Sequence, residues 1–567
     1  MLRELIIGHI PADFDPQKHI PITPLCFYGK EDIYPDFANL QFLDPFSDPN
    51  DIKWYDRLVM QESLCLTDRF AAKYNPCTFH NHSFRFWKTI YYPSLSFAIT
   101  LVRKHCLLIE AAINQYQHES IKVKIIREPI FKFCTIFDLV NNLNITFQEK
   151  LLSAIIDIIK PSKWVIEYID ENDSENKVEV GRGDGVEKRM PSVRNVYKRL
   201  FYRSKLGYGI NLIDNALIHL LLYFKHPSTK NDNEGGKINH LLKIDLKEEF
   251  IDIIDNLLSD DLKQINKVIK EQRRKRFKRG KVSLFSNALF FSLEDKVAAA
   301  FCYDEGEKVV AAQHGGHNYG SALTFEFNEG VEYSASKFIS WGWDKIDGFK
   351  RDNILPLPSP LLSKKFNKYS NANSKIILVG TVMPIIMPRF DANLSINSSI
   401  EYRGEKLSFL KMIFESRFKE DLYYKPYSDW AFALQDKKYY SNYFPDLKFI
   451  EGDLHSEILK CRLLILDHPG TTWNIAMAAN VPLILFWKPH FFYFNDEAQR
   501  WLGKFKEIGI YHENANSAVS FVVNKFENIL EWWSSNEVQS LRKLWMMQYA
   551  RVSNNWFKDW VEALSSI

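Results

Sequence analysis

The sequence predicts an α/β protein whose parallel sheets are covered by helices, from three observations. Short β-branched or aliphatic runs recur after residue 290: VVAAQ (309–313), FISWGW (338–343), KIILVGT (375–381), LKFIEG (447–452), RLLILDH (462–468) and PLILFW (482–487). Helical stretches such as SFLKMIFESRF and TWNIAMAAN separate several of them, and strand–helix alternation implies a parallel sheet buried on both faces. A chain of 567 residues exceeds what one hydrophobic core holds, so two or three domains are expected.

Along the chain, the first 50 residues are rich in Pro, Asp and aromatics, with strand-like pieces LIIGHI and PLCFYG. From about 53 to 120 the apolar spacing is helical, as in SFRFWKTIYYPSLSFAITLVRKHCLLIEAAI. Two polar stretches, 170–188 and 226–240, predict exposed loops, and GINLIDNALIHLLLYF between them predicts a buried helix. The run KEQRRKRFKRGK (270–281) is the densest positive charge. It predicts a solvated helix face or a patch for anionic headgroups or a phosphorylated acceptor. The Pro-rich stretch 355–374 is the linker candidate, with Lys375 opening a new α/β unit. Trp and Leu recur at helical spacing in the last 40 residues, predicting a terminal helix that packs back on the first domain. The expected division is therefore 1–365 for an acceptor-side domain with helical insertions, 366–545 for a donor domain, and 546–567 for the returning helix.

Hydrophobic residues are 46% and charged residues 25%, an ordinary globular balance. A net charge of +3 argues against a nucleic-acid partner, which calls for a strong basic excess. The seven cysteines are scattered with no CxxC pair, which excludes a zinc or disulfide framework and suits a reducing cytoplasm. The N-terminal apolar run is too short for a signal peptide, and no run reaches the about 18 residues of a bilayer span. The expectation is a cytoplasmic protein, with peripheral contact at the inner face of the cytoplasmic membrane through residues 270–281 as an addition.

Three segments carry candidate chemistry. In LLILDHPGTTWNIAMAANVPLILFW, a strand ends in Asp467, His468, Pro469 and Gly470, and Thr471 and Thr472 start a helix. Ligands of open parallel sheets bind beyond the carboxyl ends of strands, and a helix N-terminus there offers unpaired N–H groups to a phosphate. Helix capping by Thr471 or Asp467 is the alternative. The motif is neither GxxxxGK[ST] nor GxGxxG, so the nucleotide need not be ATP or NAD. In AAQHGGHNYGS (311–321), a second strand runs into His314, Gly315, Gly316 and His317, with Glu326 downstream. A histidine there suits a general base or a cation beside a leaving phosphate. A metal on His314, His317 and Glu326 matches no standard zinc spacing. In YYKPYSDWAF, Lys425 and Tyr427 predict a loop that touches a phosphate or carboxylate, or an ordinary turn. Glu451 in EGDLHS precedes the helix that leads to the phosphate loop and suits a base or ribose contact. Gly380 and Thr381 end the 375–381 run and join the donor group.

The motifs QHGGHNYG…E…S…WGW, YKPYSDW and DHPGTTWNIAMAANVPLILFW, with FRFWKTIYYPSL, resemble the LIC12162-type transferases of bacterial surface-polysaccharide loci. The resemblance implies a GT-B-like architecture: two Rossmann-like domains facing a cleft, helical additions in the N-terminal half, and a C-terminal strap helix. The His-Pro and hydroxyl arrangement is similar to that of sialyl and Kdo transferases, which use CMP-sugars. It implies that His468 meets the CMP phosphate and that Thr471 and Thr472 complete the cradle. The chain departs from the expected pattern at Asp429, where a glycine would precede Trp430.

The expected function is metal-independent transfer of an acidic sugar, a nonulosonic acid or Kdo, from a CMP donor to a glycan or lipid-linked glycan, with no cofactor. His314 or His317 is the expected base or leaving-group helper, with Glu326 as the alternative. Arg85 is either a carboxylate ligand or a buried structural ion pair. The rival readings are a teichoic-acid-type polyol-phosphate transferase using a CDP-polyol and a non-catalytic glycan-binding protein.

Overall fold

A computed structural model describes residues 2–171 except 32 and 78–80, and 246–427 except 275–281, 286–291, 317–318, 347, 382–384, 386–388 and 391–394. It also describes 436–567 and, between the larger blocks, residues 210, 213, 214, 217, 218, 220 and 221. Most of the polar stretches 170–188 and 226–240, and of the basic run, lie outside the described residues, as do His317, Asp429 and Trp430.

Three parallel sheets follow one another in sequence. The first joins β1 (Arg3–Ile6), β2 (His19–Pro21), β3 (Ile121–Ile126) and β4 (Trp164–Ile169) in the order β2-β1-β3-β4. The piece PLCFYG is not a strand: Pro24–Phe27 is a 3₁₀ turn, because Pro24 has no N–H to give a ladder and sits naturally at a first helical position.

Between β2 and β3 run two long helices, α1 (Pro49–Tyr74) and α2 (Phe84–Gln115). Asp48 and Ser83 cap them, accepting from the N–H groups of Asn50 and Phe86. The middle of α2 is apolar on every face, and Ile90–Val102 is buried throughout, so this helix is the central post of the N-terminal half. No described helix is long and apolar enough to cross a membrane.

The second sheet holds β5 (Val282–Phe285), β6 (Lys308–Ala312), β7 (Lys337–Ser340) and β10 (Ile354–Pro356) in the order β10-β7-β6-β5, all parallel. A small antiparallel hairpin, β8 (Lys345–Ile346) with β9 (Phe349–Lys350), interrupts it. The third sheet holds β11 (Ile376–Val379), β12 (Leu422–Lys425), β13 (Lys448–Phe449), β14 (Leu463–Leu466), β15 (Leu483–Phe486) and β16 (Tyr511–His512). Its order is β13-β12-β11-β14-β15-β16, again all parallel. Strands β11, β14 and β15 are buried at every position, which is why they read as unbroken aliphatic runs. Helices α3 (Ile396–Phe414), α4 (Asp436–Tyr443) and α5 (Thr471–Ala479) belong to this unit.

The stretch 355–374 is built in rather than free. Ser359 caps a helical turn with Pro360 at its first position, and Leu361 and Leu362 are buried. Beyond it, the N–H groups of Asn367 and Tyr369 donate to Ala478 and Ala479 at the end of α5. The prolines here end a strand and start a turn, which is a different use from stiffening a linker.

Two terminal helices, α6 (Asn536–Tyr549) and α7 (Trp556–Ser565), bind the second and third units together. Trp545 of α6 stacks on Trp473 of α5 with ring centroids 4.3 Å apart. Trp556, Trp560 and Leu564 of α7 share a core with Val282, Leu284, Val310 and Ile339 of the second sheet. Trp560 also donates its indole N–H to the Pro358 carbonyl at 2.8 Å.

Candidate functional site

The carboxyl ends of β6 and β14 meet. After β6 the chain turns through Gln313, His314, Gly315 and Gly316; after β14 it turns through Asp467–Gly470 into α5. Gln313 is the brace of the first loop. Its amide nitrogen donates to the Gly315 carbonyl at 2.8 Å, and its oxygen accepts from the Trp341 backbone and the Trp343 indole, both at 2.9 Å. A Cβ on Gly316 would lie 2.7 Å from the Gly470 carbonyl carbon and 2.8 Å from the Thr471 nitrogen. Only glycine permits that approach. At Gly315 a Cβ would stand 3.7 Å from the Thr471 hydroxyl, an ordinary contact. Two helix-covered parallel sheets thus face each other across their strand ends, with residues 314–316 against 468–472.

On the second-sheet side, His314 is held by a buried chain. The Tyr319 hydroxyl lies 2.5 Å from His314 Nδ1 and 3.2 Å from Nε2, and it donates to Glu332 Oε2 at 3.0 Å. The Glu332 side chain is 1% exposed. Burial, followed by the nearby Arg389 charge, lowers the His314 pKa to about 4. The ring is neutral at pH 7, with the Tyr319 hydroxyl against its nitrogen edge.

On the third-sheet side, Asp467 is the hub. It accepts from His468 Nδ1 at 2.9 Å and from the Thr381 N–H at 3.3 Å, and its other oxygen is 3.1 Å from Lys406 Nζ. Lys406, fully buried on α3, also pairs with Asp436 at 2.9 Å and donates to the Thr381 carbonyl at 3.0 Å. Burial opposes both charges. The Lys406 ammonium nevertheless holds the Asp467 carboxyl below its usual range, and the Asp436 and Asp467 carboxylates hold Lys406 well above its own. Gly380 leaves room for this cluster, since a Cβ there would be 2.6 Å from the Tyr424 hydroxyl and 2.9 Å from Lys406 Nζ. Because Asp467 accepts the Nδ1 proton, His468 presents Nε2 on the side of Gly470. Helix α5 has no side-chain cap, so its first N–H groups and the Thr471 and Thr472 hydroxyls can receive an anion.

The other candidates have partners of their own or stand on neighbouring loops. Lys425 ends β12 and donates to the Ile450 carbonyl at 3.2 Å, while Tyr427 and Glu451 are exposed on the loops after β12 and β13. Glu326 is 4% exposed, pairs with Arg57 at 3.1 Å and caps the Phe325 N–H, so its carboxylate is committed to α1. Arg85 donates to the Ser334 carbonyl at 2.8 Å and lies 3.9 Å over the Tyr303 ring. Pro469 is buried between His468 and Gly470. Among the described residues no cluster of three or more His, Cys, Asp or Glu side chains could hold a metal ion. Sequence reasoning gave no role to Gln313, Tyr319 or Glu332 and missed Lys406 and Asp436. Lys406 and Asp436 read as ordinary surface charges until their burial is known.

A family profile described as LIC12162 family transferase matches residues 3–564. No curated protein matches the chain. Among solved structures, an E. coli one described as trehalose-6-phosphate bound with UDP-2-fluoro glucose aligns over 80% of this chain and 95% of its own. The identity is 7% and the TM-score 0.31, a likeness too slight to bear on function.

Proposed function

The chain belongs to the LIC12162 family of transferases, and from that premise we propose that it transfers an acidic sugar, a nonulosonic acid or Kdo, from a CMP donor to a bacterial surface glycan. One observation supports the reading: the loop after β6 packs at Gly316 against Gly470 and Thr471, so His314 and His468 belong to two adjoining strand-end loops.

The donor phosphate sits at the N-terminus of α5, against the Thr471 and Thr472 hydroxyls and His468 Nε2. The bond from its oxygen to the anomeric carbon breaks, and the electron pair stays on the CMP phosphate. Fixed N–H dipoles stabilise that charge without reorganising. The acceptor hydroxyl oxygen forms the new bond, and its proton passes to the neutral His314 imidazole. A bound anion beside His314 raises its pKa from the resting value toward neutrality, where a general base works best. Tyr319 and Glu332 orient that imidazole, and Asp467 orients His468. Glu326 and Arg85, engaged by Arg57 and by Ser334 and Tyr303, take no step here.

Thermal shift tests the donor. A ligand at a hundredfold excess over its Kd adds about 2.7 kcal/mol to the folded state. CMP is expected to raise the Tm, UDP, GDP and CDP-glycerol to leave it unchanged, and His468→Ala to cancel the CMP effect. Stabilisation by CDP-glycerol with CMP inert would transfer the protein to the polyol-phosphate class.

A further inference from the structure

A cavity of about 170 Å³ opens between the N-terminal residues around Glu31 and the helices α3 and α4 of the third unit. It is outside the cleft but wired to it. Arg403 on its wall lies 3.4 Å from Asp436, which binds Lys406, which binds Asp467, the partner of His468.

The walls combine two chemistries. Tyr439 and Tyr443 meet at 62° with ring centroids 5.1 Å apart; Arg403 covers one face of Tyr439 at 3.6 Å, while Tyr443 is 48% exposed. Lys438 and Asn442 supply donors from the same helix. Opposite them is Glu31, only 8% exposed, whose Oε1 is buried with no hydrogen-bond partner. Glu31 is among the lining residues and brings an acceptor to a wall otherwise rich in donors.

We infer that this cavity binds one sugar residue of the acceptor glycan. The inference rests on the reading that the cleft transfers a sugar. A pyranose has a C–H face for an aromatic ring and hydroxyls that both donate and accept. The hydroxyls meet Glu31 as donors and Lys438 and Asn442 as acceptors. A bare phosphate would be repelled by Glu31, and an alkyl chain would match none of the polar groups of Glu31, Lys438 and Asn442. The volume suits a single ring, and the position between the N-terminal segment and the donor unit suits an acceptor arriving from outside the nucleotide loops.

Saturation-transfer NMR on the full chain tests this with the methyl glycosides of glucose, galactose, mannose, N-acetylglucosamine and N-acetylneuraminic acid. At least one glycoside is expected to give a signal that survives saturating CMP. Its affinity is expected to drop about tenfold in Tyr443→Ala and in Glu31→Gln. Tyr443 is exposed, so that variant keeps the fold even where Glu31→Gln does not. No signal from any glycoside, a signal indifferent to both variants, or one abolished by CMP would each overturn the inference. The Tm shift with CMP, read on the same samples, reports the cleft separately. Intact CMP stabilisation beside a failed glycoside result overturns the pocket alone. A glycoside signal without CMP stabilisation overturns the donor assignment alone.

Discussion

Lys406 shows how much one side chain can decide. Its ammonium is fully buried and faces Asp436 at 2.9 Å and Asp467 at 3.1 Å. Alone, burying that charge would be prohibitive, and so would burying either carboxylate. Together they hold three chain segments: α3, the start of α4 and the end of β14. Lys406→Met leaves two buried carboxylates without their cation, and breaking such a pair from one side costs about 3–5 kcal/mol. The urea midpoint is expected to fall accordingly, with part of the loss restored in Lys406→Met/Asp467→Asn. If the single variant unfolds at the wild-type midpoint, the cluster does not hold the segments. The His314–Tyr319–Glu332 chain is its counterpart on the second-sheet side: a phenol holds the neutral imidazole and donates in turn to a carboxylate that solvent barely reaches.

At the scale of elements, the site is two strand–loop units pressed together. β6 ends in Gly315–Gly316 and β14 leads to Gly470 and the uncapped α5; a strand end and a helix start are where a parallel sheet leaves backbone groups unpaired. The contact between them separates two neighbouring glycines. Gly316→Ala puts a methyl into the backbone of Gly470 and Thr471, an overpacking that costs about 1–3 kcal/mol. Gly315→Ala meets only the Thr471 hydroxyl at van der Waals distance. Gly316→Ala is therefore expected to abolish stabilisation by CMP and Gly315→Ala to keep most of it. Equal behaviour of the two would mean that the loops do not need to touch. The strand ends were legible from the sequence because aliphatic runs, Gly and tandem Thr are local signals. The fate of Glu326 was not legible. Spacing placed it near the histidines, but α1 presents Arg57 to it.

Over the whole molecule, α6 and α7 set the distance between the facing units. Trp545 packs on α5 from one side, while Trp560 and Leu564 pack under the second sheet from the other. Desolvation is the main cause that lowers the pKa of the buried His105 and of the half-buried His9 and His314 to about 4. Their folded pKa lies below the unfolded value of 6.5, so the unfolded chain binds protons first as pH falls. Stability is complete above 6.5 and declines steadily between 6.5 and 4. The Tm is expected to follow that course, and His105→Gln to flatten it. A Tm constant between pH 6.5 and 4 would contradict the burial of these rings.

The sequence by itself determined the parallel α/β layers, the strand-end positions of residues 313–316 and 467–472, and the helix start at Thr471. Each depends on periodicity, glycine and capping within a few neighbouring residues. Only the tertiary structure decided which charges pair, that Lys406 is buried, that Tyr319 and Glu332 stand behind His314, and that Glu31 closes a cavity with α3 and α4. Those outcomes depend on segments tens to hundreds of residues apart, and on desolvation, which turns an ordinary Lys or Glu into a fixed partner only when neighbouring units exclude water from it.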